Sequence, residues 1–151
     1  MSKPFIKPSL LLVDDEAPFV EAMSKRLTRR ELTVDTALSG KEAVEKVDVG
    51  GPSKYDVVIL DVKMPGMDGL ETLAAIKSGH PTLEVVMLTG HATVENAIEG
   101  MKRGAFDYLM KPCDLDVLMA KVEEAVAKKR AHEAKILDAK VRMMALAKGI
   151  D

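Results

Sequence analysis

Short apolar runs alternate with amphipathic stretches along the chain. Five runs have the length and composition of β-strands: residues 10–13 (LLLV), 32–37 (LTVDTA), 57–60 (VVIL), 83–88 (LEVVML) and 105–110 (AFDYLM). Between them, apolar residues recur at the spacing of one helical face, as Phe19, Val20, Met23 and Leu27 do. Strands alternating with helices five times predict an α/β domain whose parallel sheet is covered on both faces.

Two polar patterns predict where helices begin. Ser39 and Glu42 have the spacing of a capping box, and Asp68 with Glu71 imitates one. Each pattern precedes a stretch of helical periodicity, so we expect the second and third helices to begin there.

The composition of the apolar runs predicts the order of the strands. Runs one, three and four are almost continuously apolar, as in strands that are buried on both faces. Runs two and five are interrupted by Thr33, Asp35 and Asp107, which edge strands tolerate. With right-handed crossovers, this pattern favours a doubly wound sheet of order 2-1-3-4-5. A ligand is then expected beyond the carboxyl ends of strands 1 and 3, where the strand order reverses.

Acidic residues follow both of these strands. Strand 1 runs into Asp14, Asp15 and Glu16, and strand 3 runs into Asp61. Neighbouring parallel strands lie about 4.8 Å apart, so Asp61 should share a pocket with Asp14 and Asp15. Without a cation these carboxylates would repel one another, whereas a hard divalent ion would make them ligands. In the simpler interpretation, Asp14 or Asp15 caps the next helix and Asp61 opens a turn, which leaves their convergence unexplained.

Two further polar residues of this predicted site lie at the ends of strands 4 and 5. Thr89 follows strand 4 and Lys111 follows strand 5. Acids for a magnesium ion, an aspartate nucleophile, a hydroxyl and an ammonium together suit phosphoryl transfer to a carboxylate. Singly, Thr89 is typical of a strand end and Lys111 of a solvated lysine. The prediction therefore depends on their combination.

Composition narrows the class of protein. The 151 residues carry a net charge of −2, split into an acidic body and a basic tail: residues 1–120 hold 14 basic and 19 acidic side chains, and residues 121–148 hold 8 and 4. An acidic body argues against direct nucleic-acid binding. A lone cysteine, Cys113, excludes a disulfide framework; we interpret it as a small filler rather than a thiol activated by a helix start. No signal peptide or membrane-spanning run is apparent, so we expect a cytoplasmic protein that does not enter a membrane.

The chain resembles the receiver domain of two-component response regulators over residues 8–128. The matching stretches are LLVDDE, VVILDVKMPGMDG, VVMLTGHA and GAFDYLMKP, in the order and spacing of that family. The resemblance implies a flavodoxin-like receiver fold. It also implies a phosphoacceptor signalling role rather than an enzyme acting on a separate substrate.

The resemblance implies a role for each site residue. Asp61 would accept a phosphoryl group from a sensor histidine kinase or a phosphotransfer protein. Mg²⁺ would be bound by Asp15, Asp61 and the backbone carbonyl of Lys63, with Asp14 acting through water. Three further residues would act on the phosphoryl group or respond to it: Thr89, Tyr108 and Lys111. The peptide bond from Lys111 to the following proline would be cis. The surface of helix 4, strand 5 and helix 5 would then change shape and signal to a downstream protein target or a second copy of the chain.

Two residues are predicted to flank the phosphoryl pocket. Lys63 lies two positions after Asp61, and His91 lies two positions after Thr89. Both are bulky enough to restrict the approach of hydrolytic water, which predicts a long-lived acyl phosphate. The alternative is an exposed lysine and histidine without a kinetic role.

The tail, residues 129–151, is expected to extend the last helix. No proline or glycine lies between Cys113 and Lys148, and apolar residues partly resume after residue 135. The tail resembles the dimerising helical linker of nitrogen-regulator-type activators, although its heptads are poor and a frayed extension is the alternative. The chain is thus either a single-domain regulator or the receiver fragment of a larger transcription activator.

Three other functions are weaker interpretations. A phosphatase of the haloacid dehalogenase type also uses an aspartate and magnesium, but its nucleophile follows strand 1 in an Asp-x-Asp pattern. A flavodoxin-like electron carrier needs a hydroxyl-rich phosphate loop where this chain has acids. A purely structural interaction domain would leave the convergent acids without a use.

Overall fold

A computed structural model describes residues 7–149, which form a parallel five-stranded sheet between two layers of helices. The strands are β1 (Ser9–Val13), β2 (Thr33–Ala37), β3 (Val57–Leu60), β4 (Glu84–Thr89) and β5 (Asp107–Met110). The helices are α1 (Ala17–Thr28), α2 (Gly40–Gly50), α3 (Gly69–Gly79), α4 (Val94–Lys102) and α5 (Leu115–Ala147).

The predicted strand order is confirmed. The sheet runs β2-β1-β3-β4-β5, with the interrupted strands β2 and β5 at its edges. In the register of β1 and β3, Val13 lies opposite Leu60, so both strands end at the same level. The residues that follow them, Asp14 and Asp61, therefore leave the sheet side by side.

The sheet is buried on both faces because the inner parts of its central strands, residues 10–13, 57–60 and 85–88, are apolar at every position. On β1, Leu11 and Val13 pack into the core under α2 and α3, whereas Leu10 and Leu12 pack into the core under α1 and α5. Each face of the sheet thus has its own hydrophobic core, as a doubly wound fold requires.

The predicted helix starts are confirmed, with one difference in hydrogen bonding. The Ser39 side chain accepts from the backbone N–H of Glu42 at 3.1 Å, but the Glu42 carboxylate accepts from Leu38 rather than from Ser39. The capping box at Ser39 is therefore only half formed, whereas Asp68 and Glu71 form the complete reciprocal pair.

The simpler interpretation of the acids after β1 is wrong. Glu16 is the N-cap residue of α1, and no side chain makes the capping hydrogen bond there. Asp14 and Asp15 are thus not helix caps, which leaves their carboxylates for another use.

The last helix continues into the predicted tail as far as Ala147. α5 has 33 residues. None of the helices within residues 7–149 is long and apolar enough to cross a bilayer. The proposed boundary between residues 128 and 129 lies inside this helix and stays a prediction. Lys129 is buried and forms ion pairs with Asp56 and Glu133.

Candidate functional site

The acids predicted to converge do lie together. Oxygen atoms of Asp14, Asp15 and Asp61 are all within 4.8 Å of one another. Asp14 and Asp61 are buried, and Asp15 is exposed at the mouth of the group. The group can therefore be reached from solvent on one side only.

Backbone hydrogen bonds fix the two buried acids at the ends of their strands. The N–H of Asp61 donates to the carbonyl of Val13 at 3.0 Å, which extends the pairing of β1 and β3 by one residue. Each carboxylate also accepts from the chain just beyond it, Asp14 from the N–H of Glu16 and Asp61 from the N–H of Val62. These local hydrogen bonds orient the two carboxylates at the ends of their strands.

Gly69 lets α3 begin directly against the chain that follows Asp61. A Cβ atom at this position would lie 2.0 Å from the carbonyl oxygen of Asp61 and 2.6 Å from the Cα of Val62. Because both contacts are with backbone, no side-chain movement would relieve them. Our sequence analysis did not identify this residue, although a glycine directly after the N-cap Asp68 was a signal of close approach.

Lys111 supplies the positive charge of the site. Its Nζ lies 2.5 Å from Oδ2 of Asp14 and 3.6 Å from Oε1 of Glu16, and it also lies 3.9 Å from the centre of the Phe19 ring. The peptide bond from Lys111 to Pro112 is cis, as the family resemblance implied. The contacts with Glu16 and Phe19 were not predicted, because both residues lie on the chain after β1 and meet Lys111 only in the folded domain.

The environment of Asp61 disfavours its charge. Burial raises the pKa of the Asp61 carboxyl, and the nearby charge of Asp14 adds to that rise. Hydrogen bonding by the Thr89 hydroxyl and the charge of Lys111 oppose the rise without cancelling it. One ammonium thus leaves the three neighbouring carboxylates short of positive charge, so a bound cation would stabilise their charged forms.

Thr89 and Tyr108 lie beside this group. Thr89 is fully buried at the end of β4, and its hydroxyl oxygen accepts from the N–H of His91 at 3.0 Å. The ring of Tyr108 packs against α4, where Gly100 leaves room for it, and burial raises the pKa of its hydroxyl. Among the described residues, that buried hydroxyl has no hydrogen-bond partner.

An open cleft of about 520 Å³ lies over the acids. It is lined by Asp15, Glu16, Asp61, Lys63, Met64, Pro65 and His91. The two residues that we predicted at the rim, Lys63 and His91, therefore both line the cleft. Their kinetic role stays a prediction.

The oxygen donors of the site fit a hard divalent cation. Carboxylate oxygens are the ligands that Mg²⁺ prefers, and Mg²⁺ keeps several waters, which the open cleft can accommodate. The exposed carboxylate of Asp15 offers such an ion a way in from solvent. The donor set thus matches the predicted cofactor.

Cys113 differs from a reactive thiol. Burial raises the pKa of its thiol, and the neighbouring Asp114 adds to the rise. The side chain packs against the core under α1 and α5. This agrees with a filler role.

The geometry of the site and the sequence point to the same family. The response regulator receiver domain family matches residues 10–123 of this chain. The chain belongs to that family. The predicted resemblance is thereby confirmed, and a phosphatase of the haloacid dehalogenase type is not favoured.

Known relatives share both the sequence and the fold. The chain is 38% identical over 116 residues to the DNA-binding transcriptional regulator NtrC of Klebsiella pneumoniae, a match that covers 77% of this chain and 24% of the relative. It is 38% identical over 125 residues to the transcriptional regulatory protein ZraR of Escherichia coli K12, covering 83% and 28%. A response regulator receiver domain from Clostridium thermocellum superposes with a TM-score of 0.77 at 35% identity, covering 82% of this chain and 98% of that structure. The chain thus spans about a quarter of the length of these two regulators.

Membership of the family defines the general role of the protein. Receiver domains of response regulators are signalling domains of two-component systems, and they interact with sensor kinases and downstream effectors. The chain is therefore a receiver of the NtrC and ZraR type.

Proposed function

We propose that this receiver accepts a phosphoryl group on the carboxylate of Asp61, in a reaction that requires Mg²⁺. The observation that carries the proposal is the group of three carboxylates within 4.8 Å, with the ammonium of Lys111 at its edge. Asp61 is the nucleophile because it is buried and also lines the cleft, whereas Asp14 is engaged by Lys111 and Asp15 is exposed at the mouth.

The donor is the phosphohistidine of a sensor kinase or a phosphotransfer protein. A bond forms between an Asp61 carboxylate oxygen and phosphorus as the bond from phosphorus to the imidazole nitrogen breaks, and that nitrogen keeps the electron pair and takes up a proton. Lys111 and the Thr89 hydroxyl hold phosphoryl oxygens through charge-assisted hydrogen bonds. Because such kinases present their phosphohistidine in the cytoplasm, we infer a cytoplasmic location for the receiver.

Asp15, Asp61 and the backbone carbonyl of Lys63 would hold the magnesium ion, with Asp14 reached through water. When bound, the ion supplies positive charge for the oxygens of the transferring phosphoryl group. The raised pKa of Asp61, caused first by burial and then by the charge of Asp14, supports this proposal because a bound cation would offset both effects.

We infer that phosphorylation changes the surface formed by α4, β5 and α5. The Thr89 hydroxyl accepts from the N–H of His91 and can donate its own proton to the phosphoryl group, and Tyr108 can adjust its ring position in response. The surface exposes large apolar side chains that suit a protein partner or a second copy of this chain: Val94, Ile98, Met101 and Met110.

The test is phosphorylation with a small-molecule donor. Incubation with acetyl phosphate should add one phosphoryl group in the presence of Mg²⁺ and none with excess chelator, read by intact-protein mass. Asp61→Asn should abolish the addition. Asp138→Asn, which changes an exposed acid on α5, serves as the matched control and should behave like the wild type. Mg²⁺-independent labelling, or labelling that survives Asp61→Asn, would contradict the proposal.

The two rim residues are proposed to lengthen the lifetime of the acyl phosphate. Lys63 and His91 both line the cleft over Asp61, where their bulk restricts the approach of water. Lys63→Ala and His91→Ala should each speed the loss of phosphate after the donor is removed. Equal decay in both variants and the wild type would leave them without this role.

The exposed end of α5 supports a proposal of self-association. Beyond residue 133 this helix presents apolar side chains to solvent at helical spacing, and Leu137, Val141 and Met144 share one face. Sedimentation of the wild type and of Val141→Glu, each with and without beryllofluoride, tests whether that face joins two copies.

A further inference from the structure

The aromatic ring of Phe19 lies against the ammonium of Lys111. The Nζ of Lys111 lies 3.9 Å from the centre of the Phe19 ring and 2.5 Å from Oδ2 of Asp14. A cation this close to a ring centre is attracted by the negative face of the ring. The ammonium is therefore held between a carboxylate and an aromatic face.

The flexible side chain of Lys111 needs such a contact to stay in one conformation. Its four-carbon stem is flexible, and holding it in one conformation costs rotamer entropy. The other anion in reach is Glu16, whose carboxylate lies 3.6 Å away and is largely exposed. Without the ring, the ammonium would be free to lean outward towards Glu16 and solvent.

The ring itself is held firmly. Phe19 lies in the first turn of α1, where Pro18 fixes the backbone. Its side chain is half-buried and packs against the core under α1 and α5, and it lines one pocket with Pro112 and Cys113. The position of the ring thus follows from the position of the helix.

We propose that Phe19 is a positioning residue for phosphoryl transfer: its ring keeps the Lys111 ammonium beside Asp14 and Asp61 and away from solvent. This inference rests on the proposed function, because it assigns Phe19 to the reaction of Asp61. Phe19 does not touch the phosphoryl group and acts only through Lys111.

The chain offers a closely matched control for this role. Phe106 is also a half-buried phenylalanine that packs on the same core, and it also lies near a lysine, with Lys128 at 5.6 Å from its ring centre. It lies on the loop before β5, away from the acids. Phe106→Leu therefore makes the same chemical change with the same loss of packing, without touching Lys111.

The experiment compares Phe19→Leu, Phe19→Tyr and Phe106→Leu. With acetyl phosphate and Mg²⁺, the initial rate of Asp61 phosphorylation should fall about 2- to 5-fold in Phe19→Leu, the range expected for one exposed cation–π contact. Phe19→Tyr keeps an aromatic face and should restore most of the rate, and Phe106→Leu should retain it. Rates are compared per folded molecule, with the folded fraction taken from circular dichroism.

A second measurement reads the contact without any phosphodonor. The ε-methylene protons of Lys111 should show an upfield ring-current shift by NMR, lost in Phe19→Leu and kept in Phe106→Leu. Equal phosphorylation rates for Phe19→Leu and Phe106→Leu, or failure of Phe19→Tyr to restore the rate, would overturn the role of Phe19 alone. Absence of phosphorylation in the wild type would instead overturn the proposed function and this role with it, while the ring-current shift would still report whether the contact exists.

Discussion

Acidic side chains lie at both ends of the sheet, but their surroundings differ. At the carboxyl end, Asp14, Asp15 and Asp61 lie together, and the ammonium of Lys111 pairs with Asp14. At the amino end, Asp56 precedes β3 and Glu84 begins β4, and each has two cationic partners.

The amino end uses its charges to attach α5. Asp56 accepts from the backbone N–H of Ser9 at 2.9 Å and pairs with Arg130 through both carboxylate oxygens, at 3.2 and 3.1 Å. The neighbouring Lys129 is only 3% exposed in its side chain; its Nζ lies 3.9 Å from Asp56 and 3.0 Å from Glu133. These contacts hold the start of the predicted tail against the domain.

Glu84 shows the same compensation at greater depth. Its carboxylate is 2% exposed and lies 3.8 Å from the ammonium of Lys77 and 3.5 Å from that of Lys128. Burial lowers the pKa of Lys77, and the charge of Glu84 opposes that change.

The acids at the two ends of the sheet therefore have different roles. Those at the amino end stabilise the structure, and those at the carboxyl end are available to a ligand. Where positively charged side chains pair with the acids, the ion pairs hold α5 against the sheet. At the carboxyl end, burial and the charge of Asp14 raise the pKa of Asp61 by more than Lys111 offsets, and an external cation would stabilise the charged site. Whether an aspartate or glutamate is structural or available to a ligand cannot be read from its residue type alone.

Removal of Asp56 should have the largest effect on stability. Asp56→Ala leaves a buried lysine, an arginine and the N–H of Ser9 without this acceptor, so we expect a loss of about 3 kcal/mol in the free energy of unfolding. Urea unfolding followed by circular dichroism measures it. Asp56→Asn, which keeps an acceptor for Ser9, should lose less; a loss below about 1 kcal/mol in the alanine variant would show that the amino end is not structural.

Neutralisation of Asp61 should have the opposite sign. Because the folded-state pKa of Asp61 is raised above its ordinary value of 3.8, the folded protein holds this proton more tightly than the unfolded chain does. Stability should therefore fall as the pH rises from 3.8 through the raised pKa. Asp61→Asn should lack this loss and be more stable than the wild type by about 1.5 kcal/mol at neutral pH without Mg²⁺. Urea unfolding across a pH series tests this, and parallel pH profiles for the two proteins would contradict it.

Neutralisation of Glu84 should cost stability where neutralisation of Asp61 adds it. Glu84→Gln keeps the shape of the side chain and leaves Lys77 and Lys128 without their counter-charge, so we expect a loss of about 1 kcal/mol at neutral pH. The same unfolding assay compares it with Asp61→Asn. Stabilisation in both variants would mean that the two ends of the sheet do not differ as described.

An exposed ion pair should have the smallest effect. Glu21 and Lys25 on α1 lie 3.3 Å apart, with both side chains more than 65% exposed. Solvent screens such a pair, and Glu21→Ala should change the free energy of unfolding by less than about 0.5 kcal/mol. A larger change would indicate that charge removal itself, rather than burial and compensation, sets the size of the other effects.

The amino-acid sequence determined the order of the elements and the acids at the strand ends. Continuous apolar runs mark strands that are buried on both faces, and the handedness of the crossovers then fixes which strands are neighbours. Asp14 and Asp61 follow such neighbours, so their convergence could be predicted without coordinates. That prediction is confirmed by the separation of their oxygen atoms.

Only the tertiary structure decided which charges are compensated. Lys129 lies in a run of charged residues, yet the packing of α5 brings it against Asp56, 73 positions earlier in the chain. The ring of Phe19 meets Lys111 in the same way. Periodicity reports which face of an element is buried, whereas the partner of a charged side chain depends on how distant elements pack, and the sequence pattern carries no record of that distance.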